Sequence, residues 1–435
     1  MDYPRLLILG TIPYDRNTSS RAFDAYFHGW PKEKIAQIFS HPYIPSRGHC
    51  GTLYQITDVM MLHRWMNKKV ATGRIYNYDE LEEEIPKVEK TAVQHQSSLV
   101  ATLYKYGKKH TPFTHLLRKV LWRKSYWNTS QLNEWLDDFR PECIFLSFSN
   151  DFFLLEIALY VARKYNISIC SSTGDDYYFN THFSLNPFWY IYHGLYRRLN
   201  REVFRHPGSA IYISDKIRDK YNEAFGLNGE TVYLISEIKR REFRPINTKS
   251  IKVSYFGNIG MGRNQSLADI GTALGKINPN YKLQVFSDPN PQLTSVFDRN
   301  ANVEFCGKIP YTEVMKRSLD SDILVIVEGF AHKDVITTRY SLSTKVADSL
   351  ASGCNILVYG SPECGAMEYM QHTGCATVCY SIDEIVEKLK KLIFDVELQR
   401  SNYERAAVVS AQNHTLEQST ATLKRIVCGL VENNK

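Results

Sequence analysis

Short apolar runs of strand length alternate with stretches of helical spacing in both halves of the chain. In the first half, Cys143 to Ser149 has the pattern of a buried strand, Phe152 to Lys164 has helical spacing, and Ile167 to Cys170 follows as a second strand. These three segments predict one βαβ unit. The second half repeats the order with a strand at Ile251 to Phe256, a glycine-rich turn, a helix at Ser266 to Lys276 and a strand at Lys282 to Phe286.

The alternation predicts an α/β protein with two Rossmann-like domains, each built on a parallel sheet. A length of 435 residues agrees with more than one domain. We expect domains at 1–205 and 206–397, because His206-Pro207-Gly208 interrupts the first pattern. The stretch 398–435 has helical spacing and no strand after it, so we expect a helix that packs back on the first domain. Ligands of such sheets bind beyond the carboxyl ends of strands, which predicts a cleft between two facing domains.

Composition and charge narrow the class of protein. The chain is 43% hydrophobic and 23% charged, which is typical of a globular protein. Its net charge is +7, and most of the excess lies before residue 206. The nine cysteines are scattered, and Cys375 and Cys379 have no matching second pair, so we expect reduced thiols and no zinc site. We see no secretory signal or membrane-spanning run, and expect a cytoplasmic protein.

The first chemical signal is the sequence from Tyr255 to Asn264, where a strand runs into Gly257, Gly260 and Gly262 and then into a helix. Glycines let the backbone approach a ligand, and the amides at a helix N-terminus attract phosphate. Arg263 adds a bidentate donor for the same anion. The spacing differs from the G-x-G-x-x-G of dinucleotide sites. The alternative is an ordinary tight turn with an exposed arginine.

The second signal lies some eighty residues later, in the sequence from Tyr340 to Val358. Ser343 or Thr344 is placed to cap a helix whose first turn carries Lys345, which suits a second phosphate contact. Asp348 lies one turn further on and can accept hydrogen bonds from a ribose diol. The alternative is a capped helix with solvated Lys and Asp side chains.

Together, Gly-Asn-Ile-Gly-Met-Gly-Arg-Asn and Ser-Thr-Lys-Val-Ala-Asp-Ser-Leu-Ala-Ser-Gly resemble the donor-binding half of GT-B glycosyltransferases. The pattern is most similar to the retaining group related to glycogen synthase, as in bacterial capsule, exopolysaccharide and O-antigen assembly. Tyr340 stands where that group has the first acid of its E-x7-E motif. The resemblance implies a nucleotide-sugar site formed by Gly257, Asn258, Gly260, Arg263, Asn264, Lys308, Ile309, Ser343, Thr344, Lys345 and Asp348.

Other residues are candidates for catalysis and for acceptor binding. Arg263 and Lys345 are expected to stabilise the departing diphosphate without a metal, since no D-x-D motif stands at a strand end. Asp151 and Asp176 follow predicted strands, and either can assist deprotonation of the acceptor hydroxyl. Helix capping or loop hydrogen bonding is the alternative for both. Arg16 and Asn17 follow the first strand and are expected at the lip of the cleft.

The segment from Lys105 to Trp127 combines cations with aromatic and aliphatic residues and contains no Asp or Glu. Such a segment suits an anionic membrane surface, with tryptophan at the interface. The alternative is an amphipathic helix that covers the N-terminal core. No nucleic-acid recognition motif accompanies the charge, so we expect no nucleic-acid partner.

The resemblance, together with the two phosphate-binding segments, implies a glycosyltransferase, peripheral at the inner face of the membrane, that moves a sugar from a nucleoside diphosphate sugar to a lipid-linked or glycan acceptor. Retention of configuration, cell-surface polysaccharide synthesis and independence from a metal or other cofactor are part of the prediction. Two alternatives remain open at this point. One is a nucleotide-sugar epimerase of the same fold, and the other is a non-catalytic partner subunit.

Overall fold

The computed structural model describes residues 2–15, 21–67, 69–83, 111–181 and 183–434. The chain forms two compact units, of which the first contains Met1–Val232 and Ser419–Lys435 and the second contains Tyr233–Gln418. Arg16, Asn17 and the beginning of the Lys105–Trp127 segment, residues 105–110, lie outside the described residues.

The first unit is built on an eight-stranded sheet whose central strands are largely buried on both faces. In chain order its strands are β1 (Leu6–Leu9), β2 (Ile35–Phe39), β3 (Thr52–Gln55), β4 (Arg74–Asn77), β5 (Cys143–Ser147), β6 (Ser168–Thr173), β7 (Gly208–Tyr212) and β8 (Glu230–Thr231). Their order across the sheet is β4-β3-β2-β1-β5-β6-β7-β8. All neighbours are parallel except β3 and β4. Strands β1 and β2 are buried throughout, as expected of a parallel sheet covered on both faces.

The helices of the first unit follow the apolar periodicity of the sequence. Helix α6 (Phe152–Tyr165) confirms the crossover predicted between two parallel strands, with Cys143 in β5 paired to Ser168 in β6. It ends at Asn166, which has a φ of 50° in the left-handed region that stops a helix. The other helices described in this unit are α1 (Arg21–Phe27), α2 (Asp58–Met66), α3 (Pro112–Leu121), α4 (Lys124–Trp127), α5 (Ser130–Phe139), α7 (Pro187–Arg205) and α8 (Asp215–Phe225).

The second unit is built on a six-stranded sheet in which every neighbouring pair is parallel. Its strands are β9 (Val253–Phe256), β10 (Leu283–Phe286), β11 (Val303–Phe305), β12 (Ile323–Val327), β13 (Asn355–Tyr359) and β14 (Thr377–Cys379). Their order is β11-β10-β9-β12-β13-β14, so the direction of winding reverses between β9 and β12. A reversal of this kind opens a crevice at the carboxyl ends of the two central strands.

The helices of the second unit connect these strands and cover both faces of the sheet. Tyr255, Val325 and Leu389 belong to the hydrophobic core between the sheet and its helices. The helices are α9 (Arg263–Ile277), α10 (Pro291–Thr294), α11 (Tyr311–Asp320), α12 (His332–Thr338), α13 (Thr344–Ser352), α14 (Gly365–Thr373), α15 (Ile382–Phe394) and α16 (Val396–Asn413).

The boundary between the units lies at Val232 and Tyr233, later in the chain than the break after Arg205 that the sequence indicates. The reason is that β7 pairs with β6 in the first sheet, with Ser171 opposite Ala210. The segment after His206-Pro207-Gly208 is therefore a strand and helix of the first unit and not a linker.

The last helix, α17 (Leu416–Glu432), returns the chain to the first unit, which confirms the prediction of a helix that packs back. Arg425 forms an ion pair with Glu230, and the Asn434 amide donates to the Ser168 hydroxyl at 2.8 Å. The preceding helix α16, which the sequence places in the same terminal segment, belongs to the second unit. Among the described helices, none combines the length and the apolar character required to span a membrane.

Candidate functional site

The turn between β9 and α9 has the backbone that its glycines predict. Gly257 has a φ of 130° and Gly262 a φ of 73°, conformations that strain any residue with a side chain. The Gly257 amide donates to the Phe286 carbonyl at 2.9 Å, which extends the pairing of β9 with β10. Asn258 stabilises the turn, because its side-chain oxygen accepts from the Gly260 amide and its carbonyl accepts from the Tyr255 hydroxyl. The turn therefore holds the start of α9 at the carboxyl end of β9.

Arg263, the first residue of α9, points into the protein. Its Nη2 donates to the Glu328 carboxylate at 2.8 Å, and its Nε lies 3.1 Å from the same oxygen. Burial disfavours the charge of Arg263, but the neighbouring carboxylate outweighs this and raises the pKa of the guanidinium. Arg263 is thus a buried cation in an ion pair, and the alternative of an exposed arginine is wrong.

Glu328 is a residue of this site that the sequence reasoning missed. It follows the five buried apolar residues of β12 and is only 3% exposed. Its backbone carbonyl accepts from the Ser266 hydroxyl at 2.8 Å, so the main chain of the same residue also contacts α9. A charged residue directly after an apolar strand and directly before Gly329 is the signal that identifies it.

Lys345 lies in the first turn of α13, a helix capped by Ser343 as predicted. Its Nζ is 3.4 Å from the Ser343 hydroxyl and 5.3 Å from the centre of the Tyr255 ring. The Lys345 side chain packs so closely on Gly257 that a Cβ at that position would lie 2.4 Å from its Cε. Burial, followed by the positive charge of Arg263, lowers the pKa of Lys345 to about 8, and Glu328 and Asp348 act in the opposite direction.

These contacts bring the two sequence signals to one place, the carboxyl edge where β9 and β12 are neighbours. The N-termini of α9 and α13 both lie there, and each presents backbone amides with a partial positive charge. The carboxylate of Glu328 neutralises Arg263, and Lys345 contributes one further charge, so the three side chains together carry a net charge of one positive unit. The arrangement can bind an anion such as a phosphate group.

Three of the remaining donor-site candidates of the second unit, Asn264, Lys308 and Asp348, have protein partners in the structure. The Asn264 amide donates to the Leu293 carbonyl at 3.0 Å. Asp348 accepts from the Ser236 hydroxyl at 2.7 Å and lies 3.4 Å from the Tyr311 hydroxyl. Lys308 is exposed and forms an ion pair with Asp288 at 3.0 Å. Ile309 is half-buried and Thr344 is exposed. Their contacts with a nucleotide stay predictions.

Asp151, in the first unit, is held by an ion pair. Its carboxylate accepts from Arg118, whose Nε donates to Asp58 at 2.8 Å. Arg118 thus joins helix α3 to the N-termini of α2 and α6. The geometry supports a structural role for Asp151, and its role as a base stays a prediction.

Asp176 is buried and organises the loop after β6. One oxygen accepts from the backbone amides of Tyr178 and Phe179 at 3.1 and 2.8 Å, and from the Tyr221 hydroxyl at 2.9 Å. These contacts are the loop hydrogen bonds that the sequence allows as the alternative to a catalytic role for Asp176. They favour a structural role here too.

The described part of the Lys105–Trp127 segment differs from a tryptophan-rich membrane interface. Trp122 and Trp127 are each 1% exposed, and the Trp122 ring stacks on Phe153 at 3.7 Å. Arg118 and Lys119 are engaged with carboxylates of the same unit. Trp122 and Trp127 therefore belong to the core, which corrects their predicted place at a lipid interface, whereas Leu117 and Val120 of the same segment are exposed. A membrane contact of the segment stays a prediction.

Comparisons with known proteins support the architecture. No protein-family model matches the sequence, and no curated protein sequence matches it. Solved structures do resemble the fold at low identity. A sucrose-phosphate synthase from Thermosynechococcus elongatus is 11% identical with a TM-score of 0.58, over 98% of this chain and 99% of that one.

Two further solved structures have the same architecture. HepE from Anabaena, in complex with UDP, is 10% identical with a TM-score of 0.57, over 98% of this chain and 99% of that one. WaaG, a glycosyltransferase involved in lipopolysaccharide biosynthesis, is 12% identical with a TM-score of 0.54, over 97% and 99%. This chain therefore has the α/β fold, with two parallel-sheet units, that is found in GT-B glycosyltransferases.

Proposed function

We propose that this protein is a glycosyltransferase that moves a sugar from a nucleoside diphosphate sugar to a lipid-linked or glycan acceptor. The observation that carries the proposal is the convergence of Lys345, the Arg263–Glu328 pair and two helix N-termini on the carboxyl edge of the second sheet. The structures of similar fold add support, since one is described in complex with UDP and another as a glycosyltransferase of lipopolysaccharide biosynthesis.

The chemistry of this edge suits departure of a nucleoside diphosphate. As the glycosidic bond breaks, negative charge develops on the diphosphate, and fixed cations and helix-end amides stabilise it. Lys345 is half-buried and packed on Gly257 before a donor binds, so part of the solvent reorganisation that accompanies the developing charge is avoided. We propose that these groups replace a metal ion, and that transfer proceeds with retention, as the resemblance implies.

The cellular setting is a further part of the proposal. A lipid-linked or glycan acceptor of cell-surface polysaccharide synthesis places the enzyme in the cytoplasm at the inner face of the membrane. The cationic excess of residues 1–205 supports an anionic partner for the first unit.

Titration calorimetry with UDP and GDP tests the donor site directly. We expect Lys345→Ala to weaken the affinity for the preferred nucleotide by roughly tenfold or more. Lys276→Ala is the matched control, because Lys276 is exposed near the far end of α9, and we expect its affinity to equal that of the unchanged chain. Equal affinities for both variants contradict the site.

Transfer is then measured with labelled nucleotide sugars and lipid or glycan acceptors. A labelled acceptor product supports the proposal, and its anomeric configuration tests retention. A new nucleotide sugar formed without any acceptor identifies an epimerase. Tight nucleotide binding without turnover on any acceptor identifies a non-catalytic partner subunit.

A further inference from the structure

The first half of helix α7 has an apolar outer face where a surface helix normally has polar residues. Its inner face buries His193, Tyr196 and Val203 against the first unit. On the other side, Ile191 is 53% exposed and Leu195 is 37% exposed. Large apolar side chains that cluster on a surface mark sites of interaction.

The apolar surface continues beyond this helix at both neighbouring elements. Phe183 and Leu185, just before α7, are 82% and 90% exposed. Helix α3 lies beside α7, with the Phe113 and Phe188 rings 5.0 Å apart, and Leu117 one turn further along α3 is also exposed. We call this surface the α7 patch, and it consists of Leu117, Phe183, Leu185, Phe188, Ile191 and Leu195.

The charges around the α7 patch are positive. The sequence contains no Asp or Glu from 177 to 201 or from 111 to 133. Arg198 and Arg205 follow Ile191 at intervals of seven residues, on the same face of α7, and both are exposed. The neighbouring acids Asp151, Glu156 and Glu202 are ion-paired with Arg118, Lys119 and Arg163, respectively.

We propose that the α7 patch inserts into the headgroup region of a membrane that contains anionic lipid. There the apolar side chains lie at the boundary between headgroups and acyl chains, and the arginines beside them contact anionic headgroups. Such a membrane therefore matches both the apolar character of the α7 patch and the positive charge around it. A second copy of the chain fits less well, because a two-fold contact would bring together the arginines that flank the α7 patch in each copy.

This inference deepens the membrane part of the proposed function and moves the contact from the Lys105–Trp127 segment mainly to residues 183–195. Trp122, which follows α3, and Trp127 in α4 are buried, whereas the residues of the α7 patch at 183–195 and at Leu117 are exposed. Vesicle binding needs no nucleotide or acceptor, so its failure leaves the proposed sugar transfer unaffected.

The test is flotation of the full chain with vesicles of phosphatidylcholine alone or of phosphatidylcholine with phosphatidylglycerol. We expect flotation mainly with the anionic vesicles, and release at high salt. Phe183→Ser/Leu185→Ser removes apolar side chains that contribute little to the core, and we expect it to lower partitioning roughly tenfold or more. Arg198→Gln/Arg205→Gln is expected to lower partitioning to anionic vesicles roughly tenfold and to leave binding to neutral vesicles unchanged.

Phe394→Ser/Val396→Ser is the matched control, because both side chains are exposed apolar residues of the second unit. We expect it to float like the unchanged chain. Circular dichroism and nucleotide affinity show that each variant is folded. Equal flotation of the Phe183/Leu185 variant and the unchanged chain overturns the proposal. Sedimentation that shows a dimer, lost in this variant, together with no vesicle binding, also overturns it and assigns the patch to self-association.

Discussion

Arg263 and Glu328 form a buried ion pair between the first residue of α9 and the residue that follows β12, with Nη2 2.8 Å from the carboxylate. Their side chains are only 10% and 4% exposed. Such a pair adds little net stability, because both charges lose water, but loss of one partner leaves an uncompensated charge. The pair therefore fixes the start of α9 against β12 at the candidate site.

Glu328→Gln tests this fixation, because it keeps the volume of the side chain and removes its charge. We expect the free energy of unfolding to fall by about 3 kcal/mol, since Arg263 stays buried without a counter-charge. Urea denaturation followed by circular dichroism measures the change. Glu230→Gln is the control, because its ion pair with Arg425 is exposed, and we expect a loss below about 1 kcal/mol. Equal losses would show that burial of the pair is unimportant.

Arg263→Met/Glu328→Met separates a structural role of the pair from a ligand role. Both charges disappear together, so we expect stability within about 1 kcal/mol of the unchanged chain. If Arg263 binds the donor diphosphate, nucleotide affinity still falls roughly tenfold in this folded variant. Calorimetry with the preferred nucleotide measures it. Full affinity in the double variant would show that Arg263 only positions the turn.

The local elements of the second unit were predictable from the sequence because they depend on local patterns. The apolar run before Gly257 predicts β9, and Ser343 predicts the cap of α13. The order of the strands in the sheet was harder to predict from the sequence, since it depends on pairing between distant segments. β7 shows this, because only its register with β6 reveals that it belongs to the first sheet.

The candidate site was predictable only in part for a similar reason. Gly257 and Lys345 were identified from local motifs, and their contact follows from the tertiary structure. The pairing of Glu328 could not be predicted from a local motif, because its partner Arg263 lies 65 residues earlier. The burial of Trp122 was also not predictable, since an amphipathic pattern does not reveal whether protein or lipid covers its apolar face.

Gly257→Ala tests the contact between the turn and Lys345. The new Cβ would lie 2.4 Å from the Lys345 Cε at a φ of 130°, so we expect displacement of the lysine and a roughly tenfold loss of nucleotide affinity. Gly226→Ala is the control, because its φ is also positive at 66° but no atom lies within 4 Å of the new Cβ. We expect it to cost about 1 kcal/mol of stability and no affinity. Unchanged affinity in the Gly257 variant would remove the turn from the site.

Asp151→Asn distinguishes a structural carboxylate from a catalytic base. Because Arg118 joins Asp151 to Asp58, we expect the variant to lose about 1–2 kcal/mol of unfolding free energy and to keep its transfer rate within about twofold. Thermal unfolding and initial rates with a fixed donor and acceptor measure the two quantities. Asp138→Asn, an exposed site at the end of α5, is the control and is expected to change neither. A rate loss of about a hundredfold with normal stability would instead establish Asp151 as the base.

The pKa of Lys345, lowered to about 8, predicts that nucleotide binding depends on pH. A bound diphosphate favours the charged lysine and raises this pKa, so affinity is constant below about pH 8 and falls above it, by up to about tenfold per pH unit. Unfolding does not explain such a loss, since a lowered lysine pKa makes this group stabilise the fold as pH rises between about 8 and 10.5. Calorimetry from pH 7 to pH 9 measures the profile, with Lys345→Arg as the control that keeps its charge and is expected to flatten it. The same break in both proteins would assign the titration to another group.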